Sequence, residues 1–233
     1  MTSMADWPVV LPPVDLADER LFFTDHEWDT IDAATARICP TDHEPGAREA
    51  HVVRFIDRYL SGVEYVYAAA DGSGFLQMSG KLADAWRGRI ADLGAIYRLG
   101  VRDLDAIALQ HFGADFVALG EDEQDVVLER LSGAPKPGPV TRVDDDGNPT
   151  IQVYAFDDGL DFFELLVSHT RQGFYGDPVY GGNHDRVGWK VIGFPGPESL
   201  KATIDGTYSV REYYVQEFDW RDLIPQLRGE AGS

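Results

Sequence analysis

One run near the C-terminus constrains the fold more than any other: His169-Thr-Arg-Gln-Gly-Phe-Tyr-Gly-Asp-Pro-Val-Tyr-Gly-Gly-Asn-His-Asp-Arg-Val-Gly-Trp-Lys-Val-Ile-Gly-Phe-Pro-Gly196. Within it an apolar helical pattern gives way to seven glycines, two prolines and a string of large rings. Glycine supplies backbone conformations closed to other residues, proline fixes φ, and Asn and Asp close turns on their own backbone. So many special backbone demands describe an ordered loop. Its rings give it a rigid, adhesive surface, better suited to recognition than to hydrolysis or redox chemistry.

The rest of the chain reads as mainly α. Thr24-Asp-His-Glu27 is a capping box that starts a helix, whose inward stripe is Trp28, Ile31, Thr35 and Ile38 and which Pro40 ends. A second helix after Pro45-Gly46 carries Val52, Phe55, Ile56, Tyr59 and Leu60 on one face and should pack on the first as a hairpin. From Ser61 to Gly80 the pattern around Asp71-Gly-Ser-Gly74 fits a short strand pair or an ordered loop. Helical periodicity resumes near Lys81 and is clearest over Val101–Phe112, where Val101, Leu104, Ile107, Ala108 and His111 share a face. Glu121–Leu131 follows, with acids in its first turn where the helix dipole favours them. Ala134–Pro139 breaks the chain, and Asp144–Asn148 marks a turn that closes a small hairpin. A last helix spans Asp158–Arg171 with Phe162, Leu165, Leu166 and His169 aligned, and Thr207–Glu217 is strand-like. The expected organisation is an extended Pro-rich arm over residues 1–20 and a single helical domain over 21–233, with long ordered Gly/aromatic loops and small β-hairpin elements. Trp7, Val9, Val10 and Leu11 make that arm apolar enough to lie on its own domain or on a partner.

No constellation carries chemistry. His26 between Asp25 and Glu27, and His43 between Asp42 and Glu44, lack the paired-histidine spacing of a zinc or iron site. They suit a capping turn and a polar inter-helix loop. His169 falls on the apolar face of its helix, where a buried ring would fix the loop by hydrogen bonds. Asp177, before Pro178, is placed to accept backbone N–H bonds. Gly181-Gly182 is not followed by the Gly-Lys-Ser/Thr of a phosphate loop, and Ser168 beside His169 on one helix points about 100° away from it. Cys39, the single cysteine, excludes an internal disulfide and reads as a small buried residue. A net charge of −20 disfavours nucleic acid and anionic lipid as partners, and no apolar run approaches the length of a membrane span.

Two blocks resemble the gluconate 2-dehydrogenase subunit 3 family. The first runs through Phe22–Ile31, Ile38-Cys-Pro-Thr-Asp42, Pro45-Gly-Ala-Arg-Glu-Ala50 and Phe55-Ile-Asp57. The second is the C-terminal run, with Phe163, His169, Gly173–Pro178, Tyr180-Gly-Gly-Asn183, Gly188-Trp189 and Ile192–Gly196. Tyr97–Gly100, Leu104-Asp105 and Phe112-Gly113 between them are similar in kind, so the resemblance covers about residues 21–197.

The resemblance implies a partner rather than a reaction. In such complexes a large flavoprotein of the glucose-methanol-choline type carries FAD, oxidises a sugar or sugar acid and often passes electrons to a cytochrome c. The small subunit supports its folding, stability or export, with no cofactor in its own chain. The expected docking residues are Trp7 on the arm and Phe174, Tyr175, Tyr180, Gly181, Gly182, Asn183, Trp189 and Phe194 on the loop, which His169, Asp177, Pro178, Pro195 and Gly196 would shape. The twin-arginine export signal of many family members is not visible in residues 1–20. That leads to an expectation of cytoplasmic operation, with co-export on a signal-bearing partner as the alternative. The rival to the subunit reading is an independent enzyme or binding protein that uses His169, Asp177 and His184.

Overall fold

A computed structural model describes residues 7–11, 19–62, 67–133, 160–197, 199, 201–202 and 205–207. The expected break at 134–139, the turn at 144–148 and the strand at 207–217 lie outside these residues, apart from Thr207 itself. The chain falls into two compact units, one of residues 13–63 and 78–194, the other of 1–12, 64–77 and 195–233.

The larger unit is helical. Thr24 caps α1 (Asp25–Ile38) with both halves of the capping box in place. His51, in the left-handed conformation, opens α2 (Val52–Leu60). α3 (Gly80–Phe112) is 33 residues long and ends at Gly113. α4 (Glu121–Ser132) carries three acids, Glu121, Asp122 and Glu123, in its first turn. α5 (Phe162–Tyr175) starts at a capping box of Asp161 and Glu164 and is followed by the short α6 (Val187–Val191). α1 touches α2, α3, α4 and α5 and so sits at the centre of the packing. Ile31, Val52, Ile56, Leu60, Tyr97, Leu104, Val127, Leu165 and Leu166 are all but sealed from solvent. Burying such side chains is the main force holding helices of this kind together, since helices this short are marginal alone.

The helical stripes fall where the sequence places them, with two differences. His111 is exposed: the buried face of α3 near its end is Val101, Leu104 and Ala108, and the last turn runs out beyond the core. α5 begins at Phe162, behind its Asp161 cap rather than at Asp158, and continues four residues past Arg171 to Tyr175. Gly173 does not break it, because the missing side chain is where α2 approaches; a Cβ there would stand 3.0 Å from the Phe55 ring.

Polar ties hold the helix ends. Arg37, in the last turn of α1, donates twice to Asp125 in α4, at 2.9 and 3.0 Å, and its guanidinium also meets Glu121. The buried Asp57 carboxylate of α2 accepts the backbone N–H groups of Leu21, Phe22 and Phe23 at 2.7, 3.0 and 2.8 Å. One side chain thereby satisfies three donors that have no helix or sheet partner.

The smaller unit contains a three-stranded antiparallel sheet in the order β1-β3-β2. β2 (Tyr67–Ala68) and β3 (Phe75–Leu76) form the expected strand pair around Asp71–Gly74, in register Tyr67↔Leu76. The apolar arm supplies the third strand: β1 (Val9–Val10) pairs Val9 with Leu76 and Val10 with Phe75. Trp7 is buried and meets Tyr67 edge-on at 6.3 Å.

Candidate functional site

The segment from Gly173 to Phe194 is built as a knot tied by one residue. After α5, Asp177 accepts from the Val179 N–H at 3.0 Å and opens a 3-10 turn over Pro178–Tyr180. Gly181 then lies against the Arg58 side chain, and Gly182 crosses the end of α5 so closely that a Cβ would stand 2.2 Å from the Gly173 carbonyl oxygen. Asn183 is fully buried. Its N–H donates to the Gly173 carbonyl at 2.7 Å, its side-chain amide to the Gly176 carbonyl at 2.8 Å, and its side-chain oxygen accepts from the Gly188 N–H at 2.9 Å. Three hydrogen bonds from one side join the end of α5, the turn and the start of α6. Asn is suited to the task because it offers donor and acceptor and tolerates the left-handed backbone, here at φ 45°.

The next corner rests on α2. The His184 N–H donates to the Ala50 carbonyl at 3.1 Å, and the His184 and His51 rings stack with centroids 4.1 Å apart and planes 7° from parallel. His51, Asn183, Asp185 and Arg186 are the non-glycine residues with positive φ among the described residues. All four lie on the two sides of this contact. Such conformations cost roughly 1–2 kcal/mol each and persist where surrounding structure demands them. Burial, His184 and Arg54 together hold the His51 imidazole below its ordinary pKa, against the opposing pull of Asp185 and Asp32. Burial in turn pushes the Asp32 carboxyl up, while its ion pair with Arg48 at 3.0 Å opposes that.

The rings expected at a docking surface divide. Phe174 and Trp189 are interior, which corrects their placement as surface anchors. Phe174 belongs to the core cluster, and the Trp189 indole N–H donates to the Tyr175 carbonyl at 2.7 Å while its ring meets Phe194 edge-on at 5.3 Å. Closing the knot requires these two rings inside. Asn183, Gly182 and Gly181 likewise serve the knot: the first two are buried and the third is half-buried. Tyr175 is 44% exposed, and Tyr180 and Phe194 are half-buried. Ile192, not singled out in the sequence, is 57% exposed. Its signal was an aliphatic residue at the end of an apolar helix turn. Trp189 joins Tyr175 to Phe194: its indole N–H bonds the Tyr175 carbonyl, its ring meets Phe194, and the Phe194 N–H bonds its carbonyl at 2.8 Å, with Ile192 three residues on. Pro195 is exposed and Gly196 buried, and both belong to the smaller unit, as does Trp7.

The histidines are engaged elsewhere. His169 is sealed in the core, where its Nδ1 pairs with the Tyr97 hydroxyl at 2.8 Å and its ring stacks on Tyr97 at 5.7 Å. That bond ties α5 to α3 rather than fixing the loop, because the ring points inward from the middle of its helix. His26 is more than part of a capping turn: its Nε2 meets Asp105 of α3 at 2.6 Å, and that carboxylate raises the imidazole pKa. His43 is exposed beside Asp42. Cys39 is half-buried at the C-terminus of α1, and burial pushes its thiol up. Among the described residues no three His, Cys, Asp or Glu side chains are grouped to hold a metal ion, and no helix is long and apolar enough to cross a membrane. His169 is sealed in the core, Asp177 is half-buried and His184 is exposed, and each is engaged by a different partner.

The family model described as gluconate 2-dehydrogenase subunit 3 matches residues 25–196. Its limits enclose α1 and end just beyond the knotted segment. No curated protein and no solved structure matches the chain.

Proposed function

The chain belongs to the gluconate 2-dehydrogenase subunit 3 family, and from that premise we propose that it is a non-catalytic small subunit that binds, stabilises and helps mature an FAD-dependent oxidoreductase of sugars or sugar acids. The flavin, the substrate and any cytochrome c acceptor belong to the partners. The chain's part is to present a preformed surface.

The observation that carries this reading is the division of labour in the Gly173–Phe194 segment. Its inner residues, Phe174, Asn183 and Trp189, are committed to holding the backbone. Two of its apolar side chains, Tyr175 and Ile192, are left in solvent, and Phe194 is half-buried. Large apolar groups on a rigid backbone lose little conformational freedom on binding, so their burial appears as affinity. The active-site alternative has no such support, because His169, Asp177 and His184 are tied to Tyr97, Val179 and His51.

The test is co-purification with the flavoprotein. Tyr175→Ala combined with Ile192→Ser should weaken the complex by about tenfold or more while leaving the folded small subunit intact, since removing a ring at an interface centre typically costs about 2 kcal/mol. Trp189→Ala should act differently, by unfolding the segment. Unchanged co-purification of the Tyr175/Ile192 double variant would refute docking through this face.

A further inference from the structure

We propose that the His51–His184 stack is a pH-sensitive latch: with neutral rings it holds the His184–Arg186 corner on the start of α2, and charging both rings releases that corner. Parallel imidazoles with centroids 4.1 Å apart attract one another only while at least one is uncharged. Two imidazolium ions face to face repel, and with His51 half-buried and the His184 side chain 49% exposed, solvent screens that repulsion only in part.

The surrounding charges do not rescue the doubly charged state. On the His51 side, α1 offers Asp32, whose carboxylate is already paired with Arg48 at 3.0 Å, and α2 offers Arg54, a like charge. On the loop side stands Asp185, 3.5 Å from the His184 Nε2 but three-quarters exposed, where solvent weakens its pull. His51 accordingly resists protonation on balance.

The backbone makes the contact easy to open. At the corner the His184 N–H donates to the Ala50 carbonyl, just ahead of α2, at 3.1 Å. Asp185 and Arg186, at φ 52° and 59°, are held in left-handed conformations that relax once the corner leaves. The Asn183 knot, whose partners are Gly173, Gly176 and Gly188, does not depend on the stack and keeps the segment attached to α5. Acidification that charges both rings therefore frees a corner, not the whole segment. Any consequence for a partner rests on the docking reading above; the latch itself is a property of the isolated chain.

Amide hydrogen exchange on the isolated full chain tests it. After correction for the intrinsic pH dependence of exchange, protection of the His184 amide should fall at least tenfold between pH 7.5 and pH 5, while the Leu104 amide in α3 keeps its protection. His184→Phe keeps a stacking ring without a charge, and a protonated His51 is attracted to it. The corner of that variant should be read through the Arg186 amide, whose protection should stay within about twofold over the same range. A ring-proton NMR titration of His51 in the unmodified chain should have its midpoint below 6.5. Unchanged His184 protection at pH 5, a His51 midpoint at or above 6.5, or an equal loss of Arg186 protection in His184→Phe would each overturn the latch. Loss of co-purification by the Tyr175/Ile192 variant bears only on docking, so failure of one proposal leaves the other standing.

Discussion

At Asp57 a single carboxylate organises the entry to the bundle. It is fully buried, and the three backbone N–H groups of Leu21–Phe23 converge on it. Asp57→Ala would leave the buried Phe23 N–H without an acceptor, costing about 1–3 kcal/mol, and the part-buried Leu21 and Phe22 N–H groups to water. The variant should lose about 2 kcal/mol or more of unfolding free energy in urea, with the m-value unchanged if the native state is otherwise kept. Nothing in the sequence around Asp57 announces this role, because the donors it serves lie in a different segment. The same holds for His51. Its stacking partner is brought to it by the loop, and its left-handed backbone at φ 53° has no local signature. Asp177 is the converse: an Asp before a Pro that caps its own turn was legible, because the contact spans two residues.

Helices were legible where their signals were local. The capping box at Thr24/Glu27 needs only residues three apart and was read; the equally local box at Asp161/Glu164 was missed, and the last helix was started at Asp158 instead. The continuation of α5 through Gly173 was not legible, because it depends on Phe55 of α2 filling the space beside that glycine. How elements are fastened to one another is likewise a long-range matter. His26 at the start of α1 meets Asp105 of α3, whose carboxylate also accepts the Phe116 N–H at 3.1 Å. The pairing raises the His26 pKa, chiefly through the Asp105 hydrogen bond and against some desolvation. A raised folded-state value means that the native state holds this proton more tightly than the unfolded chain does. The contribution to stability is fully present below about pH 6.5 and is lost as pH rises through the folded value. His26→Gln should therefore lose stability at pH 5.5 and little at pH 8.5. Urea unfolding of both proteins at the two pH values checks this, and an equal loss at both would remove the ion pair from the account. The sign is opposite to that of the His51–His184 contact, which weakens toward acid.

For the molecule as a whole, a mainly helical chain combines a net charge of −20 with exposed apolar side chains on its Gly173–Phe194 segment. High net charge of one sign opposes self-association and favours solubility. Exposed apolar side chains remain at several places, Leu99 and Leu109 of α3 among them, and what sets Tyr175 and Ile192 apart is the hydrogen-bonded knot that holds their backbone. The mainly helical class was legible from periodicity, and the C-terminal run was rightly marked as ordered. What could not be read was which of its rings face inward, because Phe174 and Trp189 are buried by a closure that Asn183 makes through bonds to Gly173, Gly176 and Gly188. The central claim is that the chain acts by completing another protein. The most direct measurement is the flavin content and solubility of the partner flavoprotein produced with and without this chain. The account predicts soluble, FAD-loaded, active flavoprotein only when both are made together. A flavoprotein that is equally soluble, equally loaded with FAD and fully active when made alone would contradict it.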